Sequence, residues 1–155
     1  MGVRNDQKIR LRILLQSIVF GGLSLSVVSR YVSTNSRYPY VFITSGGMTA
    51  NTTGSRFDTG TFNRLWEYKI TVVFDYSNQN LSSETTAGIE QQIDDIEELI
   101  LDKLQSEASI DRPEWLDMYI TSISDTELNV DETGQLVDNH LLKTFTVVCR
   151  EMYAE

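Results

Sequence analysis

Residues 65–76 read LWEYKITVVFDY, and their alternation decides the fold. Trp66, Tyr68, Ile70, Val72, Phe74 and Tyr76 occupy every second position, with Leu65, Glu67, Lys69, Thr71, Val73 and Asp75 between them. Side chains of a strand point alternately to opposite faces, so this run predicts a strand with one aromatic-aliphatic buried face and one wetter face. A strand buried on both sides in a parallel sheet would be apolar throughout. The stretch therefore belongs to a mainly antiparallel sheet covered on one side.

Downstream, SNQNLSS ends the strand and offers Ser82 or Ser83 as the N-cap of a helix, with Glu84 in its first turn. The helix is expected from about Glu84 to Gln105. Ile89, Ile93, Ile96, Ile100 and Leu104 step along one stripe, with Leu99 beside it. Glu90, Asp94, Asp95, Glu97, Glu98 and Asp102 cover the opposite side. Two further strands are predicted. Leu116, Met118 and Ile120 alternate with Asp117, Tyr119 and Thr121, and Phe145, Val147, Cys149 and Tyr153 share one face of the last strand. Between them, DETG is a turn signal flanked by Leu128/Val130 and Leu136/Val137, which predicts a protruding hairpin over 127–139.

Upstream, residues 45–63 (SGGMTANTTGSRFDTGTFN) are Gly, Ser, Thr and Asn with few large apolar groups, and predict a long mobile arm. Tyr38–Thr44 (YPYVFIT) and Leu25–Ser33 read as strands. Residues Asp6 to Ile18 read as an amphipathic helix, with Asp6 as N-cap and the Gly21-Gly22 pair as its stop. The same N-terminal stretch also resembles a secretory leader. Against this, its basic residues are spread through position 12, Gln16 and Ser17 interrupt the apolar run, and no Ala-x-Ala site follows. Asp6 stands where N-myristoylation wants Ser or Thr. No uninterrupted apolar run approaches the about 18 residues of a membrane span. The expectation is one α+β domain over 1–155, with a mainly antiparallel sheet of four to five strands covered by two helices.

The chain has 155 residues, 41 % hydrophobic and 23 % charged, with net charge −9. This composition excludes wholesale disorder and fibrous classes. The acidic balance argues against nucleic acid as the main ligand. Charge is unevenly divided. Residues 1–80 hold nine basic against four acidic groups, a net of +5, while residues 81–155 carry −14. Such a split suits an oriented partner, or self-association in which unlike ends meet.

Little in the chain announces chemistry. The one histidine, His140, and the one cysteine, Cys149, leave no His cluster, no disulfide and no Cys-rich zinc module. His140 is expected at the surface or at the start of the last strand, and Cys149 as an inert core group. The Glu90/Asp94/Glu98 run is expected to be a solvated helix face rather than a metal or acid-base site. SGGM and GSRFDTG lack a P-loop lysine. No catalytic, cofactor-binding or metal site is expected, and the chain is not expected to be an enzyme.

The order of these elements resembles the tail terminator (tail completion, head–tail joining) proteins of long-tailed bacteriophages. The stretches that carry the resemblance are KIRLRILLQSI, YPYVFI, EYKITVVFDY, ETTAGIEQQIDDIEELILDKLQ and LLKTFTVVCREMY. The resemblance implies a structural virion protein that forms a hexameric ring on the head-proximal end of the tail. The ring caps the tail tube and offers a docking surface to the head connector. Partners would be copies of itself, the tube protein and the connector, with DNA passing through without specific binding and no membrane involved. Assembly would occur in the host cytoplasm. Candidate contacts are Arg56, Phe57, Asp58, Phe62 and Arg64 in and beside the arm, and Asp131, Glu132 and Gln135 in the hairpin. Two alternatives stay open: another neck, tail-tube or baseplate subunit, or a secreted α+β binding domain or enzyme if residues 1–28 are a leader.

Overall fold

The strand expected at 65–76 is the C-terminal part of a longer one, with Tyr76 outside the described residues. In the computed structural model, which describes residues 2–31, 38–51, 61–75, 83–108, 110, 112–130 and 132–154, β5 runs Thr61–Asp75. It is preceded by α1 (Val3–Gln16), β1 (Val19–Phe20), β2 (Leu23–Ser24), β3 (Ser26–Val28) and β4 (Tyr40–Asn51). It is followed by α2 (Ser83–Glu107), β6 (Asp117–Ile123), β7 (Glu127–Val130) and β8 (Leu136–Ala154). The main sheet has the order β3-β4-β5-β8-β6, with β7 also paired to β8. Every pairing is antiparallel except β3 with β4. The fold is α+β, as the alternation of β5 requires.

Both helices lie on one face of this sheet and enclose the core. Leu11, Leu14, Leu15 and Ile18 from the α1 side, and Ile89, Ile93, Ile96, Ile100 and Leu104 of α2, close over Tyr68, Ile70, Val72, Phe74, Phe145 and Val147. The α2 stripe is the one its spacing predicts, and each fully buried aliphatic side chain contributes about 1.5–3 kcal/mol. Cys149 is buried in the same core. Burial, then the nearby Asp117 charge, pushes its thiol well above the ordinary range, which keeps it protonated and inert.

Four expectations are corrected. The 45–63 arm is shorter at both ends. Thr49, Ala50 and Asn51 pair with Leu65, Arg64 and Asn63, and residues 61–63 continue β5. A ladder is made by backbone groups, so polar side chains extend a strand once a neighbour is there to pair with. The remaining 52–60 lie outside the described residues. The Gly21-Gly22 pair does not end α1, which stops at Gln16. With φ of 61° and 81° the two glycines form the tight turn between β1 and β2, where positive φ at both central positions matches the twist of the strands. Asp6 is not the N-cap. Gly2 is, and Asp6 sits in the first turn, where its charge favours the helix dipole. The wetter face of β5 is also partly dry, since Thr71 and Val73 are buried beside Tyr40 and Val73 pairs with it.

The 127–139 hairpin forms as expected. Val130 pairs with Leu136, and Gly134 turns the chain at φ 84°.

Candidate assembly surfaces

The inward side of α1 is a polar anchor. Gln7 is fully buried. Its Oε1 accepts a hydrogen bond from the Tyr68 hydroxyl, and its Nε2 donates to the Glu114 carbonyl at 2.9 Å. Burial raises the Tyr68 phenol further above its usual range, so it remains a donor. One turn on, the Arg10 guanidinium reaches the Glu114 carboxylate at 3.1 Å. Burial pushes that carboxyl up, but the hydrogen bond and charge of Arg10, with help from its own backbone N–H and from Arg112, hold it below the usual carboxylate range.

Arg4 closes the other end of the anchor. Its guanidinium donates to the carbonyls of Gly46 (2.6 Å) and Glu67 (3.2 Å) and stacks on Trp66 at 4.9 Å. Gly46 lies in the β-bulge of β4, and a Cβ there would stand 2.9 Å from Cγ of Glu67. A larger residue there would have to displace the Glu67 side chain.

These pairings decide which charges face outward. Arg4 and Arg10 are spent inside, and Arg64 pairs with Glu151 at 2.8 Å. On the α1 side Arg12 and Arg30 are exposed and Lys8 is half-buried. Arg12 also donates to the Val27 carbonyl of β3. On α2, Glu97 meets Lys143 and Glu107 meets Arg112. Glu90, Asp94, Asp95, Glu98 and Asp102 are exposed, and among the described residues none has an ion-pair partner.

Topology separates the two sets. α1 packs on β3 and β4, toward one edge of the sheet, and α2 packs against β6, toward the other, with the two helices touching between them. The split seen along the sequence thus becomes a split across the molecule. The basic flank also carries apolar side chains, with Ile9 45 % and Ile13 48 % exposed.

Among the residues proposed from sequence, those that are described do not form one surface. Arg56, Phe57, Asp58 and Asp131 lie outside the described residues. Phe62 stands in β5 opposite Tyr153, and Arg64 follows it, engaged with Glu151 and beside Trp66. Glu132 and Gln135 are exposed in the β7–β8 turn. That turn adjoins the far end of the same ladder, where Asp75 pairs with His140. Eleven residues of strand separate Arg64 from Asp75, about 36 Å at about 3.3 Å per residue. The described strand residues that flank the arm, Asn51 and Thr61, and the hairpin turn therefore lie at opposite ends of the sheet.

Sequence reasoning missed Gln7, and of the two places expected for His140 the start of the last strand is where it stands, but buried at 3 % exposure rather than at the surface. Its Nδ1 lies 2.8 Å from the Tyr31 hydroxyl, which also accepts from Asn129, and its ring meets those of Tyr31 and Tyr38 edge-on or tilted. This cluster ties β7 and β8 to the start of β4 on the sheet face away from the helices. A polar residue at the inward spacing of α1 (Gln7, Leu11, Leu14) was the one available signal for the first. Among the described residues no group of three or more His, Cys, Asp or Glu could hold a metal ion, and no helix is long and apolar enough to cross a membrane. No protein-family model matches the chain, and no curated protein matches it in sequence.

Proposed function

We infer that this chain is a structural subunit that joins copies of itself head to tail into a closed ring, serving as the tail terminator of a long-tailed bacteriophage. The observation that carries the reading is the placement of a basic, partly apolar flank on α1 and β3 at one sheet edge and an acidic helix at the other. A ring needs two different, complementary patches on one subunit, because each copy gives one and receives the other. Like copies would repel through equal flanks; unlike flanks attract and set direction.

Two ends of a long sheet suit a cap that has one neighbour above and another below. The arm side, with Arg56, Phe57, Asp58, Phe62 and Arg64, and the hairpin side, with Asp131, Glu132 and Gln135, would serve the tail tube and the head connector. No turnover is required of such a protein. The packing of Leu11, Leu14 and Leu15 into the core supports a retained α1 over a cleaved leader, since cleavage would open the core. Ring size is the six copies that the family resemblance implies.

Light scattering on the purified chain, followed by negative-stain imaging, tests the reading. A single closed species of six subunits is expected. Open-ended polymers would overturn it in favour of a tube subunit, and a strict monomer at high concentration would overturn self-association.

A further inference from the structure

The cleft between α1 and β3 has the shape and chemistry of a socket. Asn5, Lys8, Ile9 and Arg12 of α1 line it on one side and Val27, Val28, Ser29 and Ile43 on the other, and its volume is about 220 Å³. That is room for side chains and not for a helix, whose diameter with side chains is about 10–12 Å. Apolar side chains (Ile9, Val27, Val28, Ile43) beside two cations ask for an apolar group flanked by two anions.

α2 presents that pattern outward. Leu99 is 36 % exposed although it lies beside the buried stripe. Asp95 precedes it by four residues and Asp102 follows by three, so all three share one helix face, and both carboxylates are exposed. Asp95 and Asp102 stand about 10 Å apart along the axis at about 1.5 Å per residue, and Lys8 and Arg12 about 6 Å apart. The longer, flexible cationic side chains bridge the difference.

We propose that this cleft receives α2 of a second copy of the chain, with Leu99 entering it and Asp95 and Asp102 meeting Lys8 and Arg12. The proposal rests on the head-to-tail reading and adds the contact that makes it. Within one subunit the two helices touch each other, yet among the described residues neither Lys8 nor Arg12 pairs with Asp95 or Asp102, so the contact is one made between copies.

Charge reversal tests it. The variants Lys8→Glu/Arg12→Glu and Asp95→Lys/Asp102→Lys change only exposed or half-buried positions, and circular-dichroism melts establish that each folds. Each alone is expected to run as a monomer by native mass spectrometry under conditions where the wild type is a ring. An equimolar mixture of the two, and the fourfold variant in one chain, are expected to regain the ring, because both restore opposite charge at every junction. Leu99→Ser, which changes no charge, is expected to raise the concentration for half-assembly by about tenfold or more. A wild-type ring that survives both reversals overturns the contact and leaves the ring reading standing. So does loss of the ring that neither the mixture nor the fourfold variant restores. A wild-type chain that stays monomeric overturns both.

Discussion

The two helices cover the same core in opposite styles. The inward stripe of α2 is wholly aliphatic and its outward face is acidic. On α1 the inward face includes a buried glutamine and the outward face carries Ile9 and Ile13. The first pattern is that of a helix with one dry side and one wet side. The second is that of a helix held by directional bonds inside while keeping apolar surface outside. The difference teaches how each helix is held: α2 covers the core with aliphatic side chains and turns its charge outward, whereas α1 is fixed by directional bonds and leaves Ile9 and Ile13 exposed.

The largest expected effect falls on the aliphatic helix. Ile100→Ala removes a fully buried side chain and is expected to cost about 3–4 kcal/mol in urea unfolding, as cavity formation does. A cost below about 1 kcal/mol would mean that α2 is not the principal lid of the core. Gln7→Leu should be smaller yet still damaging, about 2 kcal/mol, since it leaves the Tyr68 hydroxyl and the Glu114 carbonyl without their partner in a dry site. If it stabilises the fold instead, the polar anchor is dispensable.

Acid separates the helices further. The folded Glu114 carboxyl titrates below its unfolded value, so the folded state prefers its ionised form. That stability is present above the unfolded value of 4.5 and is lost as pH falls through the lower, folded value. Arg10→Met should remove about 1.5 kcal/mol at neutral pH and flatten the decline in stability as pH falls below the unfolded value of 4.5. An unchanged acid slope would refute the role given to the Arg10–Glu114 pair. The smallest effect on stability is expected at Ile13→Ser, within about 0.5 kcal/mol because the side chain is half exposed. A large loss of stability there would place Ile13 in the subunit's own core.

Much of this architecture is visible in local pattern. The alternation of Trp66 to Phe74 and the 89–93–96–100–104 stripe each report which side of an element is dry, and a partner is not needed to read them. The polar positions are different. Gln7 is buried because Tyr68, 61 residues away, and Glu114, 107 residues away, supply bonds that no spacing reveals. His140 looks like a surface residue beside Asp138 and Asn139, and Tyr31 and Tyr38 bury it from across the sheet. Residues 45–51 look like a loop until β5 lies alongside. The charge split was countable, but its placement on opposite edges follows from strand order, which the sequence does not carry locally. Four of the eight residues named as contacts are outside the described residues, and the four that are described sit at two ends of the sheet.

Native mass spectrometry of the wild-type chain across a salt series tests the central claim most directly. Attraction between exposed, oppositely charged flanks weakens as the screening length falls from about 10 Å at 0.1 M salt to about 3 Å at 1 M. The account predicts a closed ring at low salt that gives way to monomer as salt rises. A ring of constant mass from low to high salt would contradict the electrostatic joining of the two flanks, and a monomer at every salt concentration would contradict the ring itself.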